Sequence, residues 1–287
     1  MDMLYKHNFV ALVIKCIEVI DSQGLSVPLN FLSRLILSSS RFSQQFVECG
    51  GLQPRRLTHI LKPDNSPPIL VDSLLILSQL ARVSREYYQE IAEADIYANI
   101  RSLLRHKNKS IRARSCNLVG NMCRHSSYFY KPLLSHGIME VLVERLEDSD
   151  STTRKFACFA IGNAGFHSNV LYESLRLSIH LLVKLLRDGD TKTQTNAAGA
   201  LGNLCRNGDS LCDHLIEEKV VPALVHMVNE TYLKEAETPL RIALFSLGNM
   251  CVHSPLKEIL RNERVDWTAL RSSRDAVVLK YLKRIEL

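Results

Sequence analysis

Aromatic side chains make up only 7% of this 287-residue chain, and tryptophan occurs once, at Trp267. Leucine is plentiful instead, as expected when many short helices pack through aliphatic ridges. No apolar run approaches the roughly 20 residues a helix needs to cross a bilayer. The start (Met1-Asp-Met-Leu-Tyr-Lys) lacks the hydrophobic core and small-residue cleavage site of a signal peptide. The eight cysteines include no CxxC pair and the ten histidines no HxxxH pair, which argues against a mononuclear zinc site and a disulfide framework. A phosphate-cradling glycine loop, GxSxG, HExxH and the HRD and DFG signatures of a protein kinase are also missing. The expectation is a chain without catalysis, cofactor, metal or small-molecule substrate, in a reducing, cytoplasmic setting.

Only 12 glycines occur, yet four share one context. They are Gly120, Gly162, Gly202 and Gly248, each followed by asparagine: Asn121, Asn163, Asn203 and Asn249. The intervals are 42, 40 and 46 residues. A period of this size marks HEAT or armadillo arrays, whose repeats bury their apolar faces only against neighbours. It also explains how so long a chain shows no composition shift dividing it into two globules. Within one interval, a short helix over 126–136 closes at Gly137, a second runs over 138–146, and a long third covers about 152–165 behind the cap formers Asp148 to Ser151. Three helices per repeat favour armadillo over HEAT. The expected fold is an all-α, right-handed armadillo solenoid of five to six three-helix repeats.

The chain is accordingly divided into a degenerate N-terminal repeat (1–62), a proline-rich loop (63–68), armadillo repeats (69–271) and a capping helix (272–287). Helices are expected over 8–20, 28–37 and 69–82, with a break at 21–24. Ser33-Arg34 and Ser78-Gln79 fall where later repeats carry Gly-Asn.

Glycine within a helix costs about 1 kcal/mol relative to alanine, so its recurrence points to close approach of a neighbouring helix. Asparagine is also a poor interior helix residue. Two readings stand for Asn121, Asn163, Asn203 and Asn249: a ladder of amides bonding the backbone of an extended peptide, or caps on freed carbonyls of their own chain. Four residues later come His125, His167, Asn207 and His253, on the same helical face. They extend the groove or satisfy helix-terminal carbonyls. Four residues before each asparagine lie Asn117, Phe159, Gly199 and Phe245, where Phe159 and Phe245 are groove-floor or core aromatics. Arg124 and Arg206 present charge at a further register.

The net charge is +6. Two basic stretches are candidates for an acidic surface such as a tubulin tail: Arg101, Arg105, Lys107, Lys109, Arg112 and Arg114, then Arg271, Arg274, Lys280, Lys283 and Arg284. Neither interleaves aromatics, which argues against nucleic acid. The alternative for each is a solvated polar face.

The strings Arg154-Lys-Phe-Ala-Cys-Phe-Ala-Ile-Gly-Asn163, Thr195-Asn-Ala-Ala-Gly-Ala-Leu-Gly-Asn203 and Pro239-Leu-Arg-Ile-Ala-Leu-Phe-Ser-Leu-Gly-Asn249, with His167-Ser168 and Leu171-Tyr172-Glu173, go beyond generic repeat sequence. They resemble the C-terminal armadillo region of Fused-type serine/threonine kinases, over somewhat more than half the chain (112–262). The resemblance implies a longer polypeptide with an N-terminal kinase domain. It also implies a protein-binding scaffold for the central pair of motile cilia, for Hedgehog-type signalling or for the plant phragmoplast, with kinesin-like proteins or microtubules as partners and a ciliary or other microtubule location. The competing readings are a free-standing cytosolic armadillo adaptor and a regulatory domain of an attached kinase. Importin-α is a poorer match, since its groove tryptophans would fall at Asn117, Phe159, Gly199 and Phe245, so nuclear-signal binding is disfavoured. Neither nucleic acid nor membrane is an expected partner.

Overall fold

A computed structural model describes residues 2–21 and 24–285. Met1, Ser22, Gln23, Glu286 and Leu287, which enter the expected start, break and capping helix, lie outside the described residues. Every described regular element is helical. The chain divides into two compact bodies, residues 1–141 and 142–287.

The N-terminal body holds α1 (Asp2–Lys6), α2 (Phe9–Val19), α3 (Ser26–Ser38), α4 (Ser40–Glu48), α5 (Pro54–Ile60), α6 (Pro67–Val83), α7 (Tyr88–Glu93), α8 (Tyr97–Leu104), α9 (Lys109–Met122) and α10 (Tyr130–Ser135). The division falls within α11 (Ile138–Glu144). Long helices α3, α6 and α9 stack in turn, and shorter ones pack behind them. Residues 61–66 turn ahead of α6, where Pro67 and Pro68 sit in the first turn and forgo N–H groups that have no partner there. α6 is buried nearly all round, with Ile69, Leu70, Leu74, Leu77 and Leu80 each at 0% exposure.

The C-terminal body continues with α12 (Ser151–Ala164), α13 (Tyr172–Leu175), α14 (Ser178–Leu185), α15 (Thr191–Asn203), α16 (Cys212–Glu217), α17 (Val220–Leu233), α18 (Glu237–Met250), α19 (Ser254–Arg261), α20 (Trp267–Arg271) and α21 (Ala276–Leu282). Here α12, α15, α18 and α21 stack in order. Asp150, Asp190 and Asp275 start three of these four helices by accepting from Thr153 N, Thr193 N and Val277 N, respectively, at 2.8 to 2.9 Å. Asp148 and Asp188 in turn accept from the N–H groups of Asp150 and Asp190, so an Asp-x-Asp step twice fixes the entry into a long helix. The expected single helix over 272–287 is α21, begun by the Asp275 cap and ended by a 3-10 turn over Lys283–Ile285.

Four of the turns from the first to the second helix of a repeat pass through a left-handed residue, whereas the α13–α14 turn, with Leu177 at φ −66°, does not. Gly50 (φ 74°) and Gly137 (φ 62°) supply it, while Asp95 (φ 47°) and Lys219 (φ 52°) hold it without glycine.

Candidate functional site

The Gly-Asn step closes each stack by two means. A Cβ at Gly162 would lie 3.4 Å from Ala200 Cα, and one at Gly248 3.3 Å from Arg284 Cβ. At Gly202 it would fall 2.6 Å from Ser246 Cα, closer than real Cβ atoms come. The glycine register is thus a place of close approach between neighbouring helical segments.

Asparagine then bonds across that crossing. Asn203 Nδ2 donates to Gly162 O at 2.9 Å and Asn249 Nδ2 to Gly202 O at 3.0 Å. On α6 serine stands at the glycine register, and Asn121 Nδ2 donates to Ser78 Oγ at 2.7 Å, which itself donates to Asn117 Oδ1 at 2.8 Å. Ser33 donates to Asp72 Oδ1 at 2.6 Å in the preceding pair of helices. The second register behaves alike: His125 Nε2 meets Arg82 O at 2.8 Å, His253 Nε2 meets Cys205 O at 2.6 Å, and Asn207 Nδ2 donates to Gly165 O and Phe166 O. Each accepting carbonyl lies near the end of the previous long helix, where intrahelical donors have run out. The side chain of one repeat therefore caps the helix of the repeat before it.

The amide oxygens are treated differently. Asn249 Oδ1 accepts from Arg284 Nη2 at 3.1 Å. Asn203 Oδ1 is shielded from solvent and has no partner among the described residues. Asn121 and Asn249 are buried, whereas Asn163 and Asn203 are half-exposed. Phe159, Gly199 and Phe245 are half-exposed as well, one on each of α12, α15 and α18. Phe245 meets the edge of Tyr281 of α21 at 5.6 Å. Arg206 is exposed and lays its guanidinium over Phe166, 4.2 Å from the ring centre, with His167 edge-on to the same ring. Arg124 is exposed at the equivalent register of the N-terminal body.

The basic residues separate into distinct roles. Arg101, Arg105, Lys107 and Lys109 are exposed, but Arg112 folds back to donate to His106 O and Lys107 O at 3.0 Å, and Arg114 is half-buried. Near the C-terminus Arg271, Arg274, Lys280 and Lys283 are exposed, while Arg284 is drawn to Asn249.

Sequence reasoning missed a tyrosine that supports these caps. Tyr172 Oη donates to Asn203 O at 2.9 Å and accepts from Asn207 N at 3.1 Å. Tyr88 Oη reaches Asn121 O at 3.5 Å in the same way. Burial pushes the Tyr172 hydroxyl's pKa up, against the opposing pull of its bond from Asn207. Recurrence of Tyr88, Tyr130 and Tyr172 at intervals of 42 was the available signal. Cys123 and Cys205 lie just beyond the ends of α9 and α15, and burial lifts both thiols to about 12. They act as small apolar groups. Among the described residues no cluster of three or more His, Cys, Asp or Glu side chains is placed to hold a metal, and no helix is long and apolar enough to cross a membrane.

Residues 178–206, which contain α14 and α15, match the model of the armadillo/β-catenin-like repeat. The chain is 46% identical over 251 residues to serine/threonine-protein kinase TIO of Arabidopsis thaliana, an alignment covering 84% of this chain and 19% of that protein. The chain matches the armadillo region of a Fused-type serine/threonine kinase. Serine/threonine-protein kinase 36 of Pongo abelii is 30% identical over 111 residues, covering 36% of this chain and 8% of that one. This chain thus spans about a fifth or less of the curated relatives it matches. Among solved structures, an engineered protein superposes with a TM-score of 0.85 at 20% identity, over 96% of this chain and 67% of that chain. A designed armadillo repeat protein in complex with the peptide (KR)4 gives 0.75 at 21% identity, over 84% and 98%. The fold is all-α and of the armadillo type, and the carbonyl caps described above are how this armadillo sequence joins its repeats.

Proposed function

We propose that this chain is a protein-binding scaffold, the armadillo module of a Fused-type kinase, and that the exposed stripe along α12, α15 and α18 holds an extended segment of a partner protein. The observation that carries the reading is the alignment of half-exposed Phe159 and Asn163, Gly199 and Asn203, and Phe245 at matching registers of consecutive long helices. Aromatic faces beside a glycine gap offer room and apolar contact for side chains of an extended peptide. Exposed Arg206 adds positive charge just beyond α15, which suits an acidic residue in the segment. The designed armadillo protein captured with a peptide supports the same class of ligand.

The finer placement rests on the Fused-type resemblance: a role in central-pair assembly of motile cilia or in Hedgehog-type signalling, with kinesin-like proteins or microtubules as partners. In the parent protein the kinase domain would supply phosphotransfer and this module the docking.

The test uses Gly199, because a Cβ there would touch only Ile242 Cγ2, at an ordinary 3.5 Å. Peptides are selected from a display library on the wild-type chain, and their affinities are measured by fluorescence anisotropy. Gly199→Arg should weaken them at least tenfold and Gly199→Ala less than twofold, with circular dichroism unchanged in both. Selected peptides that bind Gly199→Arg as tightly as wild type would place the ligand elsewhere.

A further inference from the structure

The first helices of the N-terminal body leave an apolar trough open. In this body α6 is covered by α3 on one side and by α9 on the other, whereas α3 receives a long helix on one side only. Helical spacing sets Phe9, Leu12, Cys16 and Val19 in one row along α2. Val27 and Phe31 lie four residues apart on α3, and Phe31 meets Phe9 edge-on with ring centres 5.1 Å apart. Phe9 and Cys16 are half-buried where the two helices meet. Leu12 (56% exposed) and Val19 (81%) rise on one side of them, and Val27 (76%) on the other. Floor and rims are both apolar.

Positive charge borders both rims. By helical position Lys15 stands outside Leu12 and Val19 on α2, and Arg34 outside Val27 on α3. Both are exposed, and neither makes an ion pair or hydrogen bond among the described residues. The carboxylates on the same elements are committed elsewhere. Glu18, the one acid on α2, is held by Arg56 at 2.9 Å, and Asp21 just after it accepts from Gly24 N at 3.0 Å. No acid stands on α3, and Asp72 of α6 is taken by Ser33 and Asn30 at 2.6 and 3.2 Å. A segment entering the trough therefore meets unpaired cations on both of its flanks.

We propose that this trough docks an amphipathic helix of a partner protein, one that carries acidic residues on both sides of its apolar row. A helix is the element that the opposite side of α3 already receives, since α6 lies along it there. An apolar row at three- and four-residue spacing fills a trough between two helices, and Lys15 and Arg34 select the sign of the flanking charge. A second copy of this chain, related by a twofold axis, would set Lys15 and Arg34 against the same cations. A flat lipid surface would reach the rims and leave Phe9 and Cys16 between them uncovered. The proposal is independent of the groove on α12, α15 and α18, so either can fail alone.

The probes are three fluorescein-labelled, alanine-rich peptide pools of four helical turns, titrated with the full chain. The first sets mixed leucine, isoleucine and methionine at three- and four-residue spacing with glutamate on both flanks. The second has lysine in place of glutamate, and the third scrambles the order of the first. The glutamate-flanked pool should bind at least tenfold more tightly than either of the others. Leu12→Gln/Val27→Gln should weaken it at least fivefold, and Leu12→Gln alone at least twofold, which keeps the test valid if the double variant is poorly folded by circular dichroism. Lys15→Gln/Arg34→Gln should cut its advantage over the lysine-flanked pool at least threefold. Leu177→Gln/Leu233→Gln, which removes exposed leucines of the C-terminal body, should leave it intact. Equal binding of the glutamate- and lysine-flanked pools, wild-type affinity in Leu12→Gln, or an equal loss in the Leu177/Leu233 variant would each overturn the assignment. So would a dimer in sedimentation, or binding to phosphatidylserine vesicles, that Leu12→Gln/Val27→Gln abolishes.

Discussion

Two glycines three residues apart on α15 should respond to alanine in opposite directions. Replacing glycine by alanine in a helix interior gains about 0.5–1 kcal/mol when the methyl group has room. Gly199 has room, since the new Cβ would meet only Ile242 Cγ2 at 3.5 Å. Gly202 has none, because its Cβ would lie 2.6 Å from Ser246 Cα and the same distance from Ser246 Cβ. Relief requires α15 and α18 to separate by several tenths of an ångström. That motion loosens the Asn249 Nδ2 bond to Gly202 O and the Ser246 Oγ bond to Ala198 O, at 3.0 and 2.8 Å. Overpacking of a tight contact costs about 1–3 kcal/mol, and each weakened bond adds a fraction of about 1 kcal/mol. Gly199→Ala should therefore raise the thermal midpoint by about 1–4 °C, and Gly202→Ala should lose a net 1–3 kcal/mol or roughly 2–10 °C. Urea and thermal unfolding by circular dichroism read both, and hydrogen exchange of α15 and α18 amides locates the change. A Gly202→Ala chain as stable as wild type would refute close approach as the reason for glycine in this register. So would a destabilised Gly199→Ala.

Tyr172→Phe should lose about 1–2 kcal/mol in urea unfolding, because it strips the hydroxyl from Asn203 O and Asn207 N while leaving the ring packed; an unchanged midpoint would show that solvent replaces it. The Asp275 carboxyl is held below the usual carboxylate range, chiefly by its bond from Arg241. A lowered folded pKa contributes stability above the unfolded value near 4, which is lost as pH falls through the folded value. Protection of α21 amides should accordingly decline below about pH 4 in wild type, and Asp275→Asn should start lower and lack that decline. Burial raises the thiols of Cys123, Cys158 and Cys205. Iodoacetamide on the native chain at pH 8 should spare all three and label the more exposed Cys16 and Cys49, as peptide mapping would report; native labelling of Cys123 would contradict its burial.

The repeat was legible because its central contact demands the same two residues each time. Gly202 and Gly162 are where helices cross, and the following asparagine reaches the glycine carbonyl of the previous repeat, so neither position tolerates drift in that pair of contacts. At Ser78 the pattern changes, and the serine hydroxyl takes the place of the carbonyl as acceptor for Asn121. The partner of each asparagine was not legible. Asn203 and Asn249 bond to residues 41 and 47 positions earlier, and a helical wheel shows only which face a side chain occupies. Asp95 and Lys219 escaped notice because a left-handed turn leaves a sequence mark only when glycine fills it.

The donor role of the asparagine amide can be separated from its acceptor role at Asn249. Asn249 donates Nδ2 to Gly202 O at 3.0 Å and accepts from Arg284 at 3.1 Å, in a position that is 4% exposed. Asn249→Ala removes both bonds and leaves two polar partners short, a loss of about 1–3 kcal/mol. Asn249→Asp keeps the acceptor and adds an ion pair with Arg284, so a reading centred on the acceptor predicts a neutral or stabilising change. It also sets a carboxylate oxygen against the Gly202 carbonyl, two acceptors at bonding distance with no proton between them, in a site largely closed to water. We therefore expect Asn249→Asp to be less stable than Asn249→Ala at pH 7. The order should narrow or reverse near pH 4, where a protonated carboxyl again has a hydrogen to donate to Gly202 O. Paired urea titrations of the two variants at both pH values decide it. If Asn249→Asp matches wild type at pH 7, the bond to the preceding helix contributes little, and the asparagine is set there for its oxygen.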